Sequence, residues 1–375
     1  MTLPDALPLG ATIGILGGGQ LGRMSAMAAA RLGYRTHVFA PEADSPGMQV
    51  ATAHTVAAYE DAEALRRFAA AVDVVTFEFE NVPAAALAAL EGRVPCRPGL
   101  AVLATCQDRL AEKAFLERAG VPVAPWAAVH NEADLHAALA RIGLPAVLKT
   151  TRLGYDGRGQ AVIREAGEAA AAYARLAPKP LVLEAFVPFV AEISGIAARG
   201  ADGALAVFDA VENRHRRHIL DLSFAPARLP TEVAKAARCH AGRVAEALGA
   251  VGVLALEMFV LPDGRLLGNE IAPRPHNSGH WTMDACDCGQ FEQHIRAVAG
   301  LPLGPATRRA DAIMRNLVGP EGLEAWPRLV QAPGVVAHWY GKTEARAGRK
   351  LGHANLLLPL DSLADEDEAS LLARV

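Results

Sequence analysis

Two glutamates flank a tight turn in this 375-residue chain: Glu257 in the apolar run Val253–Val260, and Glu270 in the return run Leu266–Ile271. Between the runs stands Pro262-Asp263-Gly264-Arg265, and Asp-Gly is a favoured two-residue hairpin loop. Pairing Pro262 with Arg265 and counting outward places Glu257 opposite Glu270. Like charges directly opposed on a sheet repel. Among apolar neighbours they must share a proton or hold a cation between them. Mg2+, or Mn2+ in its place, suits such a pair, because it takes carboxylate oxygens and completes its shell with water and substrate phosphates. A solvated sheet face is the bland alternative, and a bulge in the hairpin would shift the pairing.

Positive partners lie earlier in the chain. Lys149 ends the apolar strand Pro145–Leu148, where lysine is a poor filler. After it, Gly154-Tyr155-Asp156-Gly157-Arg158-Gly159-Gln160 carries three glycines between two strands, a flap whose N–H groups can cover phosphates. It is no Walker loop, since no Gly-Lys-Ser/Thr follows; Gly341-Lys342-Thr343 also fails, because position 336 is Val336. Near the N-terminus, Gly17-x-Gly19-x-x-Gly22 fits the dinucleotide fingerprint, with Glu42 and Asp44 about twenty residues on. Physically the motif says only that N–H groups at a helix start can approach an anion. A phosphate ester, NAD and a ligand-free tight turn all fit it.

These groups need elements to hold them. Thr12–Leu16 predicts a strand, Leu21–Leu32 a helix stopped by Gly33, and Thr36–Phe39 the next strand. A helix over Ala62–Ala71 and a strand over Val74–Phe79 continue the alternation, which favours a parallel sheet under covering helices. Glu78 and Glu80 then share one face at that strand's end. Pro95, Pro98 and Gly99 mark a break. Residues 107–119 predict an amphipathic helix with Arg109 and Lys113 one turn apart, and Gly120–Trp126 reads as a linker. A third unit, to about 187, centres on the strands Ala146–Thr150 and Gln160–Arg164. The rest is sheet-rich, with helices over Val233–Leu248 and Gln290–Ala299. Pro302, Gly304 and Pro305 precede a small mixed tail, 306–375. The expected division is 1–105, 106–187 and 188–375, the last including the tail.

Composition narrows the classes. With 37 basic and 41 acidic residues the net charge is −4, which argues against nucleic-acid binding by bulk charge. The 51% hydrophobic content is rich in alanine, and runs such as Ala84–Leu90 are far too short to span a bilayer. No basic residue precedes Ile13–Leu16, so the start does not read as a signal peptide. The five cysteines lack paired CxxC spacing and read as free thiols. These traits describe a cytoplasmic α/β-type enzyme acting on small molecules, with neither nucleic acid nor membrane as partner.

Lys149, the glycine flap, Glu184-Ala185-Phe186-Val187, Glu192, Glu257 and Asn269-Glu270 occur in an order that resembles the ATP-grasp ligases. The strings GGGQLGRM (17–24), FEFENVP (77–83), GYDGRGQ (154–160), NEIAPRPHNSGHWT (269–282) and HWYGKTEARAGRKLGH (338–353) are similar to the N5-carboxyaminoimidazole ribonucleotide synthetase family of purine biosynthesis. The resemblance implies a mixed α/β and α+β architecture. This is an ATP-grasp fold behind an N-terminal Rossmann-like parallel-sheet domain, with a small C-terminal domain. It implies that ATP phosphorylates bicarbonate to carboxyphosphate, and that 5-aminoimidazole ribonucleotide captures the carboxyl group. Carboxyphosphate is short-lived in water, so the site must close over it.

Residue by residue, the resemblance puts Arg109, Lys149 and the flap 154–160 at the nucleotide phosphates. It puts Glu184 to Val187 at the adenine edge, Glu192 at the ribose, and His215 and Asn269 at the same site. Glu257 and Glu270 become the metal ligands. An Asn found in many ATP-grasp enzymes two residues after the second Glu is replaced here by Ala272. Arg274 suits a carboxyphosphate oxyanion; His276 and Asn277 lie beside it, and a structural role for His276 stands equally open. For the ribonucleotide, the resemblance implies Gly19, Gln20 and Leu21 of the glycine loop, with Lys342 and Arg349 reaching the phosphate. Glu78 or Glu80 would hold its ribose or amine, the choice being open, while Tyr155 and Asp156 close over it. Trp281 and Trp339 read as packing. The family also suggests a homodimer. Competing readings are a formate-dependent glycinamide ribonucleotide formyltransferase, an NAD-dependent oxidoreductase, and a non-catalytic nucleotide sensor, against which the intact glutamate pair argues.

Overall fold

The computed structural model describes residues 6–153 and 159–375. Gly154, Tyr155, Asp156, Gly157 and Arg158 therefore lie outside the described residues. The chain opens with β1 (Thr12–Leu16), α1 (Gln20–Arg31), β2 (Arg35–Ala40), β3 (Ala53–Val56), α2 (Ala62–Ala69), β4 (Val74–Phe77), α3 (Ala84–Leu90) and α4 (Leu100–Cys106). Its four strands form a parallel sheet in the order β3-β2-β1-β4. Gly33, at φ +84°, ends α1 as expected, and Asp61 caps α2 by accepting from the N–H groups of Glu63 and Ala64. One difference bears on the site. β4 stops at Phe77, so Glu78 and Glu80 sit in the loop beyond it rather than on one strand face.

Helix α5 (Arg109–Arg118), capped by Asp108, leads into a small unit of β5 (Trp126–Val129), α6 (Glu132–Ile142), β6 (Ala146–Thr150), β7 (Gln160–Ile163), α7 (Ala169–Leu176) and β8 (Leu181–Ala185). Its strands form an antiparallel sheet, β5-β8-β6-β7. The stretch read as a linker is pinned: the Gly268 N–H donates to Pro122 O at 2.6 Å.

The remaining chain comprises β9 (Ala191–Arg199), β10 (Leu205–Val207), β11 (Val211–Arg216), β12 (Ile219–Ala225), α8 (Thr231–Leu248), β13 (Gly252–Val260), β14 (Leu266–Ala272), α9 (Thr282–Ala285) and α10 (Gln290–Ala299). It ends with β15 (Asp311–Val318), α11 (Gly319–Leu329), β16 (Val335–Trp339), β17 (Lys350–Leu358) and α12 (Glu368–Arg374). One antiparallel sheet runs β14-β13-β9-β11-β12-β15-β17-β16, with β10 beside β9, so the tail strands extend the same sheet. The apolar face of α8 (Ala237, Ala241, Val244, Ala245) packs with Leu254, Leu256, Met258 and Ile193 to make the main core beneath the site. Trp281 is fully buried beside Phe208, and Trp339 packs on Trp326, so both indoles serve as packing.

Candidate active site

The β13–β14 hairpin presents the glutamate pair, by a route that differs from the simple count. The loop has three residues, Pro262 to Gly264: Leu261 N–H donates to Arg265 O at 2.9 Å, and Gly264 takes φ +83°. Near the turn the register is therefore displaced, with Met258 opposite Gly268. A bulge at Asn269 absorbs one residue and brings Glu257 opposite Glu270 after all. Burial, and then the charge of Glu270, push the Glu257 carboxyl up to about 8. Arg109 reaches Glu270 at 3.4 Å and His276 Nε2 reaches Glu257 at 3.3 Å. A divalent cation would relieve the repulsion, so the donor set fits Mg2+ coordinated partly by substrate. No cluster of three or more His, Cys, Asp or Glu metal ligands occurs among the described residues.

This pair floors a cleft of about 570 Å3 between the two antiparallel sheets. Of the expected nucleotide residues, Arg109, Lys149, Gln160, Glu184, Ala185, Phe186, Val187, Glu192, His215, Asn269 and Glu270 all line it, as do Arg274, His276 and Asn277. Lys149 leaves β6 and donates to Glu184 Oε2 at 3.1 Å. Burial pushes the Lys149 ammonium below its usual range. Glu184 Oε1 is buried with no hydrogen-bond partner and lies at the cleft wall. His215 Nδ1 is 3.3 Å from Glu192, the carboxylate that raises the imidazole against the effect of burial. His276 is pushed well below its usual range, first by burial and then by Arg274, and its Nδ1 pairs with Ser278 Oγ at 2.8 Å.

Arg274 pairs with Glu80, which lines the cleft. Glu78 does something else. Its carboxylate lies under the glycine loop and accepts the N–H groups of Gly19 and, at 2.8 Å, Gly22. A Cβ at Gly17 would meet Glu78 Cγ at 2.4 Å and one at Gly19 would meet Glu78 Oε1 at 2.6 Å, so these glycines make room for a side chain of the chain itself. That carboxyl group, pushed up by burial, takes up two of the loop N–H groups that a dinucleotide pyrophosphate would need, which disfavours the NAD reading. The N–H groups of Gln20 and Leu21 begin α1 and have no intrahelical acceptor. Lys342 stands over them, donating to Gln20 Oε1 at 2.8 Å and Lys350 O at 2.7 Å. Burial, then Arg349, lower the Lys342 ammonium to about 8. Arg349 is paired with Glu344 at 3.4 Å. Gly19, Gln20, Leu21, Glu78, Lys342 and Arg349 thus form a second cluster outside the cleft wall.

Three cleft residues and one side chain behind the wall were not singled out from the sequence as site residues. Glu112 accepts the Ile271 N–H at 2.6 Å and is pushed up to about 8 by burial and by Glu270. Lys113 lies behind Glu184 at 3.0 Å. His218 and Lys350 line the wall. The signal for the first two was available: Glu112 and Lys113 occupy the buried face of α5 beside Phe115 and Leu116, a phase where charges are out of place.

Known proteins match nearly the whole chain. Residues 10–107 match the ribonucleotide synthetase preATP-grasp domain, 114–291 the ATP-grasp domain, and 312–366 the phosphoribosylaminoimidazole carboxylase C-terminal domain. The sequence is 51% identical over 356 residues to the N5-carboxyaminoimidazole ribonucleotide synthase of Brucella melitensis, covering 94% of this chain and 98% of that one. A crystal structure of an ADP complex of N5-carboxyaminoimidazole ribonucleotide synthetase superposes with a TM-score of 0.93 at 42% identity, covering 98% of both chains. An Aspergillus clavatus N5-carboxyaminoimidazole synthase in complex with ADP and 5-aminoimidazole ribonucleotide superposes with a TM-score of 0.88 at 29% identity, covering 98% of this chain and 99% of that one.

Proposed function

Because the chain belongs to the N5-carboxyaminoimidazole ribonucleotide synthase family, we infer that it carboxylates 5-aminoimidazole ribonucleotide with bicarbonate at the expense of ATP. It is an ATP-grasp carbon–nitrogen ligase of purine biosynthesis. A bicarbonate oxygen attacks the γ-phosphorus of ATP, the bond to the ADP oxygen breaks, and carboxyphosphate forms. The exocyclic amine of the ribonucleotide then takes the carboxyl carbon and loses a proton, inorganic phosphate leaves, and the N5-carbamate results. The observation that carries this reading is the meeting of Lys149, Glu184, Glu257, Glu270 and Arg274 in one cleft from β6, β8, β13, β14 and the loop after β14.

In this assignment Arg109 and Lys149 hold the nucleotide phosphates. The unpartnered Glu184 Oε1 accepts the amine of adenine, and Ala185, Phe186 and Val187 wall the base. Glu192, oriented by His215, takes the ribose hydroxyls. Glu257 and Glu270 hold Mg2+, which when bound offsets the negative charge of the phosphates. Arg274 exchanges Glu80 for the carboxyphosphate oxyanion, a fork-to-anion contact that strengthens in a water-poor site. The ribonucleotide phosphate binds at the N–H groups of Gln20 and Leu21 under Lys342 and Arg349. Glu80, between the two clusters, is then the better placed of the two loop glutamates to meet the ribose or the amine. Glu78 serves the glycine loop. Among the described residues no helix is long and apolar enough to cross a membrane; a cytoplasmic homodimer completes the proposal.

Bicarbonate labelled with 18O tests the chemistry. The oxygen bridging carbon and phosphorus in carboxyphosphate comes from bicarbonate, so label must appear in the released phosphate. Turnover with no label in phosphate would refute the carboxyphosphate step.

A further inference from the structure

Glu184 carries two lysines on a single oxygen. Lys149 Nζ lies 3.1 Å and Lys113 Nζ 3.0 Å from Oε2. The two differ in what else they can reach. Lys149 lines the cleft, while Lys113 is absent from its wall and only 2% exposed. Lys113 comes from α5 and meets Glu184 from outside the cleft wall, whereas Glu184 itself lines the cleft. Two ammonium groups on one carboxylate leave a surplus positive charge that a polyanion can claim. A buried carboxylate stripped of every counter-ion is costly, and so is a buried ammonium.

We propose that Lys113 is a positioning residue for ATP: it remains on Glu184 as counter-ion when the nucleotide phosphates draw Lys149 away. Without Lys113, Lys149 is the one lysine left on this buried carboxylate among the described residues, with the Arg109 charge nearby, and ATP must compete with Glu184 for it. The side chain thus sets nucleotide affinity without touching the nucleotide. Burial alone would push the Glu184 carboxyl up, yet Lys113 and Lys149 together hold it below the usual range.

The inference rests on the assignment of Lys149 to the phosphates, and the test separates the two. ATP binding is titrated calorimetrically on the full chain, with KM values for ATP and for the ribonucleotide measured in parallel. Lys113→Met, close in length and uncharged, is expected to weaken ATP binding roughly 10- to 100-fold, the value of one charge-assisted hydrogen bond, with the ribonucleotide KM unchanged. Lys113→Arg keeps the charge and is expected to bind ATP within about threefold of wild type. The double variant Lys113→Met/Glu184→Gln removes the charge that needs a counter-ion, so it should match Glu184→Gln alone; this comparison also serves if Lys113→Met does not fold. Wild-type ATP affinity in Lys113→Met, equal losses in the Met and Arg variants, or a double variant weaker than Glu184→Gln would each overturn the proposal. Lys149→Met is the control: unchanged ATP binding there would instead overturn the assignment of Lys149 on which the proposal stands.

Discussion

Lys342 gives the account its sharpest pH dependence. In the folded chain its ammonium is lowered to about 8, first by burial and then by the neighbouring Arg349. The protonated share therefore falls from roughly nine-tenths at pH 7 to roughly one-tenth at pH 9. A phosphate monoester is already dianionic across this range, so the change belongs to the protein. If the protonated form binds the ribonucleotide phosphate, the KM for ribonucleotide should rise about tenfold between pH 7 and pH 9, with saturating ATP and bicarbonate. Lys342→Arg should flatten that rise, because arginine stays charged. Lys342→Gln should be flat and high throughout. The unliganded protein should show the opposite trend in stability. The folded value lies below the unfolded one of about 10.4, so below pH 8 the buried charge costs roughly 3 kcal/mol. That cost is relieved as the pH rises from about 8 to about 10.4, where the unfolded chain binds the extra proton. The assay is steady-state ADP release at graded ribonucleotide concentration. A wild-type KM that is flat from pH 7 to pH 9, or an equal rise in Lys342→Gln, would refute the reasoning.

Glu270→Gln should cut ADP formation at least about a hundredfold while circular dichroism shows the fold intact, because the proposed Mg2+ would lose one of the two carboxylates assigned to it; wild-type turnover would sink the metal assignment. Gly19→Ala should lower stability by about 1–3 kcal/mol in thermal unfolding, since its Cβ would stand 2.6 Å from Glu78 Oε1 in a backbone conformation alanine otherwise accepts. An unchanged midpoint would mean that Glu78 does not sit under the loop.

Much of the site was legible in the sequence because its signals are local. Lys149 betrays itself at the end of an apolar strand, and the hairpin brings Glu257 and Glu270 together within a few residues of chain. The count that paired them succeeded through two departures that cancel, a longer loop and a bulge at Asn269, neither visible in residue types alone. What the sequence hid is long-range. The acceptor in the glycine loop is Glu78, more than fifty residues away from Gly19, and nothing in the fingerprint distinguishes an internal carboxyl group from a ligand phosphate. The expected continuation of β4 to Phe79 put Glu78 and Glu80 on one face; ending the strand at Phe77 lets them turn to different partners. Lys113 and Glu112 look like ordinary charges on an amphipathic helix until the helix is seen with that face buried. The parallel sheet, by contrast, followed from the alternation of short apolar runs with helices, a pattern that each element announces by itself.

The decisive measurement is ADP release by the purified protein with two substrate pairs. With bicarbonate and 5-aminoimidazole ribonucleotide, turnover should require both and yield one ADP per carbamate formed. Turnover confined to formate and glycinamide ribonucleotide would contradict the assignment.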